Sequence, residues 1–173
     1  MTHYPRPRPE ATDEHGTELK HQELTGRIIR VFLDVYNELG DGFLESVYVE
    51  ALAMALGQAG LSYERELPLA VGFRGNVIGH FRADLVVGGK VLIETKACPR
   101  LHQTHCAQVL NYLRATVLEM GLLLNFGPRP SIKRFVFDNS RKTRFTNGSW
   151  YMDQRSTDCP RSDPFPSVFI RGS

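Results

Sequence analysis

Residues 82–97, RADLVVGGKVLIETKA, place two apolar runs on either side of a glycine pair, and this segment constrains the fold most strongly. Short apolar runs rich in β-branched residues that flank glycines are typical of a β-hairpin. Asp84 lies at the start of the first run, and Glu94-Thr95-Lys96 ends the second. A charge in a buried strand costs several kcal/mol unless an opposite charge or a metal compensates it. The hairpin therefore predicts a compensated cluster of charges.

The register of this hairpin decides whether its two acids meet. Side chains two residues apart lie on one face of a strand, so Glu94 and Lys96 share a face. A two-residue turn at 88–89 would place Asp84 and Glu94 on opposite faces. A three-residue connection at 88–90, or one bulge, would pair them directly, with Cβ atoms about 5 Å apart. We expect the second register.

Two carboxylates at that distance repel each other, so the expected register needs a cation. Hard oxygen ligands suit Mg²⁺ or Mn²⁺. Lys96, which projects beside them, is suited to hold a phosphate oxygen or an attacking water. The alternative is that Glu94 and Lys96 form a solvated ion pair on an edge strand, because the pattern acid-x-Lys is common in strands.

Hydrophobic periodicity predicts further helices and strands around the hairpin. Apolar residues at helical spacing indicate helices from Thr25 to Leu39, from about Leu44 to Gln58, and within 104–120. The expected strands lie near 66–73, 77–87, 90–97, 121–126 and 132–137. The inward helix positions are Val47, Leu52, Ala55 and Leu56, then Cys106, Val109, Leu110, Leu113 and Val117. The order is roughly ααβββαββ, which defines an α/β layer with a mixed sheet.

The length of 173 residues favours one globular domain. We expect a flexible arm over 1–22, a folded domain over 23–138 and an irregular tail over 139–173. No apolar run reaches the roughly 18 residues of a membrane span, so no membrane partner is expected. Three cysteines without a CxxC motif argue against a disulfide framework, which predicts the cytoplasm. The net charge of +2 is too small to identify a nucleic-acid binder.

Two of the helices carry polar residues that suit a site at the hairpin. Gln108 and Tyr112 are four residues apart and lie on one helix face, with His105 one turn earlier. Glu45 lies in the first turn of the second helix, and Tyr48 follows one turn later. Each has an ordinary explanation, since an acid there suits the helix dipole and Gln or Tyr can be surface residues.

Together these residues resemble the core of the PD-(D/E)XK nuclease superfamily. The resemblance rests on Asp84 and 94–96 across a hairpin that follows an acid-bearing helix. The pair Gln108 and Tyr112 resembles the QxxxY element of the exonuclease-like branch. One departure is Ala83, which precedes Asp84 where the superfamily name has Pro.

A narrower resemblance is to the GxxExxY protein family. The stretch GFLESVY, with Gly42, Glu45 and Tyr48, is similar to the signature of that family. HCAQVLNYL and GLLLNFG resemble the same family and follow in the expected order. The two resemblances together cover about residues 25–138. They imply a restriction-endonuclease-like mixed sheet flanked by helices.

The resemblance also implies a role for each site residue. Asp84 and Glu94 would ligate Mg²⁺ or Mn²⁺ with the carbonyl of Thr95, and Glu45 would complete the shell directly or through water. Lys96 would orient the attacking water and stabilise charge in the transition state.

The implied substrate is nucleic acid, with DNA ahead of RNA, and the implied reaction is metal-assisted phosphodiester hydrolysis. Gln108, Tyr112 and His105 would position the substrate. The alternative function is a non-catalytic nucleic-acid-binding or partner-docking module that keeps the nuclease fold. The sequence leaves the oligomeric state open, a homo-oligomer included.

Two weaker patterns have a functional and an ordinary interpretation each. A group of thiols and imidazoles suggests zinc, but its spacing fits no common zinc motif and favours a core thiol with loop histidines. A basic cluster either grips a phosphate backbone or forms a solvated strand face and tail. The first group is Cys98, His102, His105 and Cys106, and the second is Lys133, Arg134, Arg141, Lys142 and Arg144.

Overall fold

The computed structural model describes residues 21–73 and 76–142. The helices are α1 (Gln22–Leu39), α2 (Glu45–Gln58) and α3 (Gln103–Ala115), and a 3₁₀ helix spans Asn139–Arg141. The strands are β1 (Tyr63–Phe73), β2 (Asn76–Val87), β3 (Val91–Lys96), β4 (Met120–Asn125) and β5 (Ser131–Val136). This order confirms the predicted ααβββαββ.

The five strands form one mixed sheet in the order β1-β2-β3-β4-β5. β3 and β4 are parallel, and the other three pairs are antiparallel. A parallel pair needs a crossover connection, and α3 supplies it between β3 and β4. In the strand order β3 is the central strand, and five of its six residues are buried.

Helices cover both faces of the sheet. One apolar core joins α1 and α2 to one face and includes Phe32, Leu52, Ile93 and Leu122. A second core joins α3 to the opposite face and includes Leu92. Because side chains alternate along a strand, Glu94 and Lys96 follow Leu92 onto the α3 side. The site residues thus emerge from between two packed layers.

The connection between β2 and β3 has three residues, Gly88, Gly89 and Lys90, as expected. Val87 pairs with Val91 and Leu85 with Ile93. Both glycines have a left-handed φ, near +60°, which glycine adopts without a steric penalty. In this register Asp84 and Glu94 stand opposite each other, one position beyond the last paired residues, Leu85 and Ile93. The expected register is confirmed.

Two of the expected inward positions are wrong. Val47 is 39% exposed, and Tyr48 takes its place in the core of the α1–α2 side. Val117 is 60% exposed because α3 ends at Ala115, before that position. The backbone at Thr116 is extended, and the buried ammonium of Lys142 binds the carbonyls of Thr116 and Leu118. These contacts hold the chain in a loop where the apolar spacing predicted helix.

Most of the expected N-terminal arm and C-terminal tail lies outside the described residues, so the division of the chain stays a prediction. In the part of the chain that the structure describes, none of the helices combines the length and apolarity needed to span a bilayer.

Candidate metal centre

Three carboxylates from three elements meet beside the end of β3. Glu45 comes from the first turn of α2, Asp84 from β2 and Glu94 from β3. One oxygen of each lies within 4.8 Å of the others. Among the described residues, no second group of three such side chains is brought together in this way. The fold therefore assembles the three acids that the sequence suggested.

Asp84 is fixed by the neighbouring strand. Its Oδ2 accepts a hydrogen bond of 2.7 Å from the backbone N–H of Thr95. The β2–β3 backbone pairs end at Leu85 and Ile93, so the Asp84 side chain continues the contact between the strands where the backbone ladder stops. Burial raises the pKa of Asp84, although the Thr95 N–H and the Lys96 charge oppose the shift. Thr95 itself has a buried side chain, and its expected role as a carbonyl ligand stays a prediction.

Glu94 is the most enclosed of the three acids, since its side chain is 3% exposed. Its Oε1 accepts hydrogen bonds from Lys96 Nζ at 2.7 Å and from Gln108 Nε2 at 2.5 Å. Its Oε2 is buried and has no hydrogen-bond partner among the described residues. Burial, then the charge of Asp84, raises the pKa of Glu94 to about 7, against the opposing effect of Lys96.

Lys96 bridges two of the acids. Its Nζ lies 2.7 Å from Glu94 Oε1 and 3.1 Å from Glu45 Oε1. Burial alone would lower the pKa of this ammonium, but the hydrogen bonds and charges of the two glutamates raise it. The alternative of a solvated edge pair is wrong, because β3 is central and the Lys96 side chain is only 12% exposed.

The polar residues of α3 meet the site in a chain of hydrogen bonds. Gln108 Nε2 donates to Glu94 Oε1 and to Tyr112 Oη, the latter at 2.8 Å. Tyr112 is buried, and its ring lies 5.2 Å from that of Phe81 on β2. In this arrangement Tyr112 contacts Gln108, and Gln108 contacts a carboxylate directly.

His105 lies one turn before Gln108, at the start of α3. Its Nδ1 accepts a hydrogen bond of 3.3 Å from the backbone N–H of His102, so the ring also caps the helix. Burial lowers the pKa of His105, and the charges of Lys96 and His102 lower it further. Because Nδ1 accepts this hydrogen bond, the proton of the neutral ring lies on Nε2, which can donate a hydrogen bond.

Glu45 is positioned by residues of the α1–α2 loop. The buried Tyr48 Oη donates to the carbonyl of Gly40 at 2.9 Å and accepts from the N–H of Phe43 at 3.2 Å. Gly42 has a φ of +105°, which a residue with a side chain rarely adopts. Tyr48 therefore fixes the loop that leads into Glu45.

Two residues that contact this region were missed by the sequence interpretation. Phe126, just after β4, stacks on Tyr48 with ring centroids 4.4 Å apart and an angle of 13°. Asn125 is 1% exposed, and its side chain binds the backbone of Cys98. Both lie within GLLLNFG, so the family-like pattern marked the segment, but the sequence alone did not show what it contacts.

The donor set fits a hard divalent cation. Three carboxylates within reach of one point carry more negative charge than Lys96 balances, and the buried Glu94 Oε2, which lacks a hydrogen-bond partner among the described residues, suits a metal ligand. Mg²⁺ and Mn²⁺ prefer such oxygen ligands.

The zinc interpretation receives no support from the described residues. Cys98 and Cys106 are free thiols, and neither joins a group of three metal-ligating side chains. The Cys98 thiol donates to the carbonyl of Arg100, and Cys106 is buried in the core under α3, 3.5 Å from Lys133 Nζ. These contacts agree with the ordinary interpretation of the thiols.

The basic residues after β4 do not form one patch. Lys133 pairs with Leu123 and Arg134 with Leu122, so the two side chains lie on opposite faces of the sheet. Lys142 is buried, which excludes it from a phosphate-binding surface. Arg141 lies over the ring of Phe137, and Arg144 falls outside the described residues.

The sequence model of the PD-(D/E)XK nuclease superfamily matches residues 22–135, and the chain belongs to this superfamily. The mixed sheet flanked by helices is its restriction-endonuclease-like fold. A search of curated proteins gave no match.

Among solved structures, the crystal structure of SSO0001 is similar over 69% of this chain and 80% of that chain. The TM-score is 0.40 and the sequence identity is 16%. A similarity of this size is no guide to function.

Proposed function

We propose that this protein is a Mg²⁺- or Mn²⁺-dependent nuclease that hydrolyses phosphodiester bonds in nucleic acid, with DNA as the first candidate substrate. The observation that carries the proposal is the meeting of Glu45, Asp84 and Glu94 within 4.8 Å, with one buried Glu94 oxygen that lacks a partner. Superfamily membership supports the same reaction class.

We further propose that the chain belongs to the GxxExxY family. The three signature residues have physical reasons to occur together in this fold. Gly42 adopts a positive φ in the loop before α2, Glu45 contributes to the carboxylate cluster, and Tyr48 ties the loop down through two hydrogen bonds. A change at any of the three would move or remove the Glu45 carboxylate.

Asp84, Glu94 and Glu45 would hold the metal ion, which when bound acts as a Lewis acid on the phosphate and lowers the pKa of water. Lys96 keeps its proton because the neighbouring glutamates raise its pKa. Once a metal neutralises those acids, the Lys96 ammonium is available to donate to a phosphate oxygen and to stabilise the transition-state charge.

Gln108, Tyr112 and His105 would position the substrate strand. Tyr112 orients the Gln108 amide through their hydrogen bond, and the amide would lie beside the reacting phosphate. His105 is partly exposed on the same helix, its lowered pKa favours the neutral ring, and its Nδ1 is taken up by the His102 N–H at the helix start. A neutral imidazole suits a phosphate or sugar contact without adding charge to the site.

The test is a cleavage assay on single-stranded DNA, double-stranded DNA and RNA with Mn²⁺, with substrate binding measured separately in Ca²⁺. The informative variant is Glu45→Gln, which keeps the shape of the side chain and removes its charge. The matched control is Glu50→Gln, on the same helix but paired with Arg65. We expect metal-dependent cleavage that falls strongly in Glu45→Gln and is unchanged in Glu50→Gln.

Absence of cleavage on all three substrates, with binding retained, would instead favour the non-catalytic binding module. Which substrate is cleaved decides between DNA and RNA. We also propose a cytoplasmic location, which the two free thiols among the described residues support.

A further inference from the structure

The side chain of Asn125 replaces a piece of β-sheet backbone where β3 ends. Asn125 pairs with Lys96 as the last residue pair of the parallel β3–β4 ladder. Its Oδ1 accepts from the Cys98 N–H at 3.0 Å, and its Nδ2 donates to the Cys98 carbonyl at 2.9 Å. The Asn125 amide thus forms hydrogen bonds with both the N–H and the carbonyl of Cys98, a residue that lies beyond the end of β3.

This pairing depends on the chemistry of Asn and on its neighbours. A carboxamide offers one donor and one acceptor in the same plane, as a peptide group does. Gly127 permits the close approach, because a Cβ at that position would lie 1.9 Å from the Cys98 carbonyl oxygen. The N–H of Phe126 adds a bond of 2.7 Å to the Lys96 carbonyl. Three successive residues therefore hold the chain from Lys96 to Cys98.

The segment from Lys96 to Cys98 lies between the two halves of the candidate site. On one side are Glu94 and Lys96 at the end of β3. On the other, four residues separate Cys98 from the start of α3 at Gln103, the helix that brings Gln108 to Glu94. A shift of the strand end would change the Lys96–Glu94 contact and the Gln108–Glu94 contact together.

We infer that Asn125 is a positioning residue of the metal site: its amide fixes the end of β3 so that Glu94 and Lys96 meet Glu45, Asp84 and Gln108. This inference rests on the proposed metal-dependent function. Asn125 itself would not contact the metal or the substrate. Mutating a residue that positions the metal ligands without binding the metal typically changes metal affinity or activity by about 10–100-fold.

The test compares Asn125→Leu with Lys142→Met in the full chain. Leu has the same branching as Asn, with methyl groups in place of the amide oxygen and nitrogen, and removes both hydrogen bonds. Lys142 is a matched control because it is also buried and its side chain binds backbone carbonyls, but those carbonyls, of Thr116 and Leu118, lie just before the start of β4, whereas Asn125 ends that strand. Asn125→Ser is a second, smaller change in case Asn125→Leu does not fold.

Mn²⁺ affinity is measured by calorimetry, and kcat and KM are measured where cleavage is detected. We expect the Asn125 variants to bind Mn²⁺ about 10-fold more weakly or worse, and to lower kcat with little change in KM for nucleic acid. Lys142→Met should lower the melting temperature but leave the Mn²⁺ affinity unchanged. Hydrogen exchange at the Cys98 and Phe126 amides should accelerate only in the Asn125 variants.

Equal Mn²⁺ affinity in the wild type and the Asn125 variants would overturn the inference while leaving the proposed function intact. Equal losses of affinity in the Asn125 and Lys142 variants would also overturn it, because they would show a general effect of stability. A wild type that binds no Mn²⁺ would overturn the proposed function and this inference with it.

Discussion

The two halves of the central strand β3 have similar burial and opposite chemistry. Val91, Leu92 and Ile93 are fully buried between the two helix layers. Glu94 and Lys96, directly after them, are almost as enclosed, yet they carry charge. The apolar half follows the ordinary pattern of a strand covered on both faces.

The difference separates the half of β3 that stabilises the fold from the half that carries the proposed metal site. Burying an aliphatic side chain contributes about 1.5–3 kcal/mol. Burying a carboxylate beside another carboxylate opposes folding, and the raised pKa of Glu94 records that cost. Lys96 and Gln108 offset only part of it, because Oε2 of Glu94 lacks a partner among the described residues. A bound cation would complete the compensation.

The largest expected effect comes from removing the charge at the end of the strand. Lys96→Ala should lower turnover by about 10²–10³-fold, the scale of losing one electrostatic stabiliser of a transition state. Substrate affinity in Ca²⁺ should fall only modestly, since other contacts to the phosphates remain. The control is Lys90→Ala, an exposed lysine in the turn of the same hairpin. Turnover that survives Lys96→Ala would refute the role given to Lys96.

A second prediction concerns the pH dependence of stability without metal. The folded pKa of Glu94, about 7, lies above its ordinary value of 4.5, so the folded state binds more protons than the unfolded state between these values. The free energy of unfolding should therefore decrease as pH rises from about 4.5 to about 7, by on the order of 3 kcal/mol at most from this group. Urea unfolding in a chelating buffer measures it.

The matched variant for this measurement is Glu94→Gln, which removes the titrating group. The lowered pKa of His105 acts in the opposite direction and is present in both proteins, so the difference between the two curves isolates Glu94 and its coupling to Asp84. A difference that stays constant with pH would show that Glu94 is not held in a protonated state by its surroundings.

The smallest effect is expected from a substitution in the apolar half of β3, residues 91–93. Ile93→Val removes one methylene from the core and should cost about 0.5–1.5 kcal/mol of unfolding free energy. Mn²⁺ affinity should not change, because Ile93 faces α1 and α2 while Glu94 faces α3. A change in metal affinity as large as that of a carboxylate variant would show that the two halves of β3 do not act separately.

The sequence predicted those parts of the fold that a periodic pattern of apolar residues specifies. Periodicity located the helices and strands, and the charges in an apolar hairpin indicated the register of Asp84 and Glu94. The failures arose where distant contacts decide the structure. Val117 fits the helical pattern, but Lys142 binds the loop carbonyls around it.

The supporting contacts of the site could not be predicted in the same way. Asn125 and Cys98 are 27 residues apart in the chain, and no local pattern indicates that a side-chain amide will replace backbone there. The stack of Tyr48 on Phe126 likewise joins segments that are distant in sequence. Asp84 and Glu94 could be identified because a charge is unusual in an apolar strand, whereas a buried Asn or Tyr is not unusual.

The most direct test of the central claim is a calorimetric Mn²⁺ titration of the wild type and Asp84→Asn, combined with thermal unfolding. Glu66→Gln is the control, since that acid lies on the adjacent strand β1 and pairs with exposed Arg82. The wild type and the control should bind Mn²⁺ and melt at a higher temperature with it, by mass action. Asp84→Asn should lose both responses and, without metal, be as stable as the wild type or more stable. A wild type that binds no Mn²⁺, or an Asp84→Asn variant that binds it equally well, would contradict the account.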